Sequence, residues 1–283
     1  FNQKHLVVGQ VAAFAVGQSA GQPAPAGALA LPHLLAGLLS PFPGPYCELP
    51  ALPATVSVST DLGSTRNAAV EWDLSGLSFD QHYRSIPVPG TVEGSLQVTA
   101  LVETVPDSLV YYIDSGAAGG ASAAYTGVKS LLGAQILNEV SDKAVTAGSW
   151  GYQSNGLGGT RAGTLTDKLS NGLYGINNSA LELKYTLTGL QPGTYTVTAG
   201  VTEWWSGPRT QRLFYTGGGV ATDTAIGAQV VASSSSRNAT ISGTMAVTTA
   251  GDVTLKFRRT AGTEAPVVSW LAVAQGTIAG DTS

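Results

Sequence analysis

The stretch Gly189–Gly219, GLQPGTYTVTAGVTEWWSGPRTQRLFYTGGG, decides how the rest of the chain is read. Gln191-Pro192-Gly193 is a tight turn, with proline setting one φ and glycine free to take a positive one. Thr194, Thr196 and Thr198 then alternate with Tyr195, Val197 and Ala199. This is the two-residue period of a strand with one buried face. The strand runs into Glu203-Trp204-Trp205, a Ser206-Gly207-Pro208 turn follows, and Gln211 to Tyr215 makes a second strand that stops at three glycines. The reading is a β-hairpin with two adjacent tryptophans, a carboxylate and Arg209 near its tip. Successive strand residues face opposite sides, so one of Trp204 and Trp205 is expected to be exposed.

Composition agrees with an all-β chain. The 283 residues are rich in glycine and carry only 14 basic and 18 acidic side chains. Such a length suggests two domains, or one large domain with an appendage. The formal net charge of −4 gives no electrostatic reason to expect nucleic acid as a partner. Cys47 is the single cysteine, so neither an intramolecular disulfide nor a thiolate metal cluster can form. The scarcity of cysteine, with abundant Thr and Ser, fits bacterial secretion. The chain opens on Phe1 rather than Met, which points to a fragment or a processed product.

Residues 1–48 read as an irregular, low-charge segment or linker, with Lys4 and Glu48 as its charges. Its most apolar piece, Leu29 to Leu39, is interrupted by Pro32 and His33 and is far shorter than a membrane span. From Leu49 onward short alternating strands take over: Thr55–Ser59, Ala69–Asp73, Ile86–Gly94 and Leu96–Val105. Several strands in so few residues predict a small Greek-key sandwich of immunoglobulin type. The string LPATVSVSTDLGSTRNAAVEWDLSGL, followed by PVPGTVEGSLQVTALVETV, resembles the group 4 bacterial immunoglobulin-like modules. That resemblance covers residues 49–106 and implies a spacer of the kind strung behind secreted glycoside hydrolases. Trp72 is then a core residue packed between sheets.

Pro106-Asp107-Ser108 is a short joint, and residues 107–283 form the second domain. Leu109–Asp114 is a strand, Val128–Val140 the one plausible helix despite Gly133, and Leu181–Leu187 a clean alternating strand. Val230–Val247 reads as two strands around Ser242-Gly243, and Gly251-Asp252 turns into Val253–Phe257. Val267–Ala274, with Trp270 between apolar neighbours, closes the domain. The sum is a larger jelly-roll-like β-sandwich. The order PGTYTVT, then EWW, then RTQRLF, with YYIDSGA before and GDVTLKFRR and VVSWLAV after, resembles the malectin-like and galactose-binding-like modules of carbohydrate-active proteins. The resemblance implies a sugar ligand bound by loops at one end of the sandwich.

Sugar binding needs an aromatic face to stack on the C–H face of the ring, and planar polar groups to take its hydroxyls. Trp150, Tyr152, Trp204 and Trp205 are the stacking candidates, and Glu203, Arg209, Arg161 and Asn155 the polar ones. Each aromatic has the alternative of being core material. Glycoside hydrolysis would need two carboxyl groups facing each other across roughly 5–10 Å. Of Asp114, Asp142, Asp167, Glu182, Glu203 and Asp252, only Glu203 lies among aromatics, and no partner for it is evident. Asp142 and Asp167 stand beside Lys143 and Lys168 and read as surface ion pairs or turn caps. No catalytic residue is therefore assigned. His5, His33 and His82 are isolated, and Gly156-Leu157-Gly158-Gly159 lacks the strand and helix of a phosphate loop. The sequons at Asn177 and Asn238 would stay bare in a bacterium. No cofactor is called for; Asp114 or Asp252 is the candidate ligand of a structural calcium beneath a loop.

The sequence is read as a monomeric, secreted or cell-surface bacterial accessory region that binds a polysaccharide or oligosaccharide. A purely structural spacer or adhesin stalk is the first alternative, and a glycosidase activity in the larger sandwich the second.

Overall fold

The computed structural model describes residues 4–12, 52–59, 65–78, 81–94, 96–116, 123–161, 168–176 and 181–278. Leu29–Leu39, Cys47, Asp167 and the sequon at Asn177 lie outside the described residues. The chain is nearly all β and divides into two compact units, parting between Val105 and Pro106.

In the first unit, β1 (Lys4–Ala12), β2 (Thr55–Ser59), β3 (Thr65–Trp72), β4 (Ser85–Val92) and β5 (Leu96–Pro106) form a five-stranded sheet in the order β1-β5-β4-β3-β2. β1 falls inside the stretch expected to be irregular and takes a place at the sheet's edge. β3 divides its length, Thr65–Ala69 pairing with β2 and Val70–Trp72 with β4. The alternation of small apolar residues supplies the core: Val56, Val58, Ala68, Val70, Val88, Val92, Val98, Ala100 and Val102. Trp72 packs against that cluster half-buried, and its indole N–H donates to Pro53 O at 2.8 Å, which places the ring at the margin of the core. Between β4 and β5, Glu93 takes a left-handed φ of 50°. Its side-chain Oε2 accepts a hydrogen bond of 2.6 Å from exposed Arg66.

The second unit is a jelly-roll-like sandwich. Its strands are β6 (Leu109–Asp114), β7 (Gly151–Tyr152), β8 (Leu157–Arg161), β9 (Gly172–Gly175), β10 (Glu182–Leu190), β11 (Gly193–Thr202), β12 (Arg209–Gly217), β13 (Val220–Ala232), β14 (Asn238–Val247), β15 (Gly251–Ala261), β16 (Val267–Val268) and β17 (Trp270–Gln275). One sheet has the order β13-β12-β15-β10-β7, the other β14-β11-β17-β6, and β16-β9-β8 form a small third sheet. Leu183, Tyr185, Leu187, Leu213, Leu255 and Phe257 of the first sheet meet Val197, Ala199, Val201, Ile241, Leu271 and Val273 of the second in one core.

Four expectations are corrected here. β11 and β12 are not a hairpin: they lie in different sheets, and Glu203–Pro208 is the crossing between them. β11 is also buried on both faces from Tyr195 on. Its threonines are accommodated because each hydroxyl is bonded: Thr196 to Gly276 O at 2.8 Å, Thr198 to Ser242 at 3.1 Å, Thr202 to Ser269 at 2.8 Å. The helix α1 runs from Ala123 to Leu132, five residues earlier than Val128, and ends where Gly133 takes a φ of +56°. A glycine in that conformation terminates a helix, and a 3-10 turn over Gly133–Gln135 follows. Beyond it Asn138 bonds both the N–H and the C=O of Tyr112, at 2.8 and 2.6 Å, and so covers the free edge of β6. Lastly, the turn within 230–247 falls at Ser233–Ser236, and Ser242-Gly243 lie inside β14.

Candidate functional site

The crossing Glu203–Pro208 is pinned from several sides. Glu203 N–H donates to Arg237 O at 2.8 Å, and the Arg237 guanidinium donates back to Glu203 O at 2.9 Å. The Glu203 side chain is wholly buried, as is all but 4 % of that of Arg209. Arg209 Nε stands 2.6 Å from Glu203 Oε2, an ion pair whose N–H is not aimed at the oxygen as in a hydrogen bond. Glu203 Oε1 accepts the backbone N–H of Trp205 at 2.6 Å. The rest of the guanidinium donates to Ala265 O at 2.5 Å and to Glu264 Oε2 at 3.4 Å. Charges this deep persist only when paired and bonded. Glu203 and Arg209, expected to hold ligand, are instead the frame of the crossing.

On that frame stands an aromatic cluster. Trp204 is half-buried, its Nε1–H donating to Leu169 O at 2.7 Å, and its ring tip covers Gly172 so closely that any Cβ there would run into Cη2. Trp205 keeps 43 % of its surface exposed. Its ring meets Trp204 at 5.6 Å and 85°, and Tyr174 of β9 at 5.3 Å and 77°. The Arg209 guanidinium lies 4.8 Å from the Trp205 ring centre. Arg161, exposed at the end of β8, lies 5.7 Å from the ring centre of Trp204. The exposed indole is thus held by edge-to-face contacts and a cation, interactions that each contribute about 0.5–1.5 kcal/mol beyond area burial.

The remaining candidates go elsewhere. Trp150 is 3 % exposed, which removes it as a stacking surface. Its ring packs on Tyr111 at 6.4 Å, its Nε1–H donates to Glu139, and Lys143 Nζ sits 5.2 Å from its centre. Tyr152, half-buried, sets its ring edge-to-face on core Tyr185 at 6.4 Å. Asn155 is exposed between β7 and β8, and among the described residues no bond ties it to the tryptophans. Two neighbours of the cluster were missed: Tyr174, an aromatic set among glycines, and Glu264, in a Gly-Thr-Glu turn far along the chain.

Asp142 also departs from expectation. It is 3 % exposed rather than paired at the surface. Its Oδ2 accepts from Gly116 N–H at 2.7 Å and Tyr185 O–H at 2.8 Å, and its Oδ1 from Lys143 N–H at 2.9 Å. Burial pushes its pKa up to about 6, with these three bonds opposing the rise. Glu182 is ion-paired with Lys184 at 3.1 Å and with Arg258. Asp114 is buried at the end of β6 while Asp252 is exposed at the start of β15, in a different sheet. Among the described residues, no three His, Cys, Asp or Glu gather as a metal ion would require, and no helix is long and apolar enough to cross a membrane.

No family model matches the chain, and no curated protein matches it. Among solved structures, the chain is similar to the CBM22-1 xylan-binding domain of Xyn10C from Paenibacillus barcinonensis, at 12% identity and a TM-score of 0.36, over 49% of this chain and 92% of that one. It is similar to a family 35 carbohydrate binding module from Clostridium thermocellum, at 14% identity and a TM-score of 0.30, over 42% of this chain and 87% of that one. The ANX2 ectodomain from Arabidopsis thaliana aligns at 10% identity and a TM-score of 0.38, over 68% of this chain and 65% of that one.

Proposed function

We propose that the larger unit is a non-catalytic carbohydrate-binding module whose ligand stacks on Trp205. The observation that carries this reading is an indole left 43 % open while its ring is set against Trp204, Tyr174 and Arg209. Tryptophan offers on the order of 200 Å² of surface, so leaving this fraction uncovered forgoes about 2 kcal/mol of burial. A sugar ring laid on the indole recovers that burial, and the ordering of the ring has been met in advance by the fold. Arg161, exposed over Trp204, supplies planar donors for hydroxyl oxygens.

The wider reading is an accessory region of a secreted bacterial polysaccharide-degrading protein, with residues 49–106 as an immunoglobulin-like spacer and the larger unit malectin-like. The sequence resemblances support it. Glycosidase activity is disfavoured because Glu203, the carboxylate nearest the indoles in sequence, is fully buried and committed to Arg209 and the backbone of Trp205. The test is a glycan array read with wild type and Trp205→Ala, followed by quenching of tryptophan fluorescence. Binding in the wild type that falls at least tenfold in the variant is the expected result. A wild type that captures no glycan leaves the spacer reading in its place.

A further inference from the structure

Glu264 lies in the connection between β15 and β16, and 30 % of its side chain stays open to solvent. It is folded across Gly207 in the crossing: a Cβ on Gly207 would stand 2.7 Å from Glu264 Cγ and 3.0 Å from its Cδ. The carboxylate has this seat only because residue 207 has no side chain. From there, Oε2 reaches Arg209 at a long 3.4 Å. Arg209 is matched much more closely by Glu203, at 2.6 Å, so the negative charge of Glu264 is weakly compensated. Among the described residues, the contact with Arg209 is the one ion pair it makes. The same guanidinium stands 4.8 Å from the ring centre of Trp205. One buried cation therefore carries an exposed indole and a half-open carboxylate together.

We infer that Glu264 is a ligand-binding residue that accepts hydroxyl hydrogens from a neutral sugar stacked on Trp205. The inference rests on the carbohydrate reading above and adds to it the polar anchor and the ligand's charge class. A carboxylate accepts from hydroxyls in charge-assisted hydrogen bonds, and two neighbouring hydroxyls suit its two oxygens. Once a sugar covers it, a ring lacking those hydroxyls leaves the carboxylate desolvated and unpaired, and so is rejected. A uronic acid directing its own carboxylate at Glu264 is rejected by like charge. Arg161, over Trp204, provides the complementary donors.

The test titrates the full chain with cellohexaose, xylohexaose, mannohexaose and trigalacturonate, following tryptophan fluorescence and calorimetry. The variants are Trp205→Ala, Glu264→Ala, Glu264→Gln and Gly207→Ala. For the neutral hexasaccharide that binds best, Glu264→Ala is expected to weaken binding about tenfold to a hundredfold. Glu264→Gln, which keeps one acceptor oxygen, is expected to weaken it less. Gly207→Ala displaces the carboxylate without removing it and is expected to act like Glu264→Ala. Trigalacturonate is expected to bind the wild type more weakly than the neutral sugar, and to gain when Glu264 becomes Gln. If Trp205→Ala abolishes binding while both Glu264 variants bind like wild type, the inference fails and the carbohydrate reading stands. A loss in Glu264→Ala accompanied by a shifted tryptophan emission in the free protein also overturns it, since the carboxylate is then a prop for the ring. If the wild type binds no sugar of the panel, the carbohydrate reading falls first and takes the inference with it.

Discussion

Asp142 shows how one residue can escape a local reading. Beside Lys143 it looks like a surface ion pair, yet the fold buries it and surrounds it with donors from Gly116, Tyr185 and the backbone of Lys143. Its pKa in the folded chain is about 6, against an ordinary value of 3.8 for the unfolded chain. The folded state therefore holds this proton more tightly than the unfolded state. The charged carboxylate is a full burden above pH 6, and stability rises as pH falls from 6 towards 3.8, where the gain is complete. The linked change is on the order of 2–3 kcal/mol. Asp142→Asn is expected to flatten the pH dependence of urea unfolding across that window, and a variant profile parallel to the wild type would sink the assignment. Trp150 teaches the same lesson. Its setting among Gly, Ser and Tyr suggests a loop, but tertiary contacts with Tyr111 and Glu139 draw it into the core.

At the scale of elements, strand positions were largely readable and strand partners were not. The turn at Gln191–Gly193 and the start of β11 lie where proline, glycine and the two-residue period put them. The same signals cannot tell a hairpin from a crossing between sheets, because a strand's alternation specifies which face is apolar and not which neighbour it bonds. β11 bonds β14 and β17, both distant in sequence, and β12 bonds β13 and β15. The helix boundary failed for a different reason: apolar spacing runs on past Gly133, while the backbone turns left-handed there. Packing between elements is likewise invisible locally. Gly172 of β9 is covered by Trp204 from the crossing, with Val268 O at 2.6 Å from where its Cβ would stand. Gly172→Ala is expected to displace the Trp204 ring and destabilise the larger unit by about 1–3 kcal/mol. Near-UV circular dichroism and urea unfolding would show both effects, and an unchanged spectrum would refute the close packing.

For the molecule as a whole, the contact pattern separates residues 4–105 from 106–278, each described part with its own hydrophobic cluster. The larger unit contains every residue of the proposed sugar platform. Residues 106–283 expressed alone are expected to unfold in a single cooperative transition and to retain the sugar affinity of the full chain within about twofold. A large drop in affinity would move part of the site outside that unit.

The amino-acid order by itself determined an all-β chain and a pair of adjacent tryptophans that cannot both be core in a regular strand. These follow from short-range rules: period, turn chemistry and composition. Only the tertiary structure decided that Trp205 is the exposed indole, that Glu203 and Arg209 are a buried ion pair beneath it, and that Tyr174 and Glu264 belong beside them. Those choices depend on contacts between residues far apart in the chain, such as Arg209 with Ala265, which no local period encodes. Buried charge makes them decisive, since Glu203 and Arg209 can leave water only together.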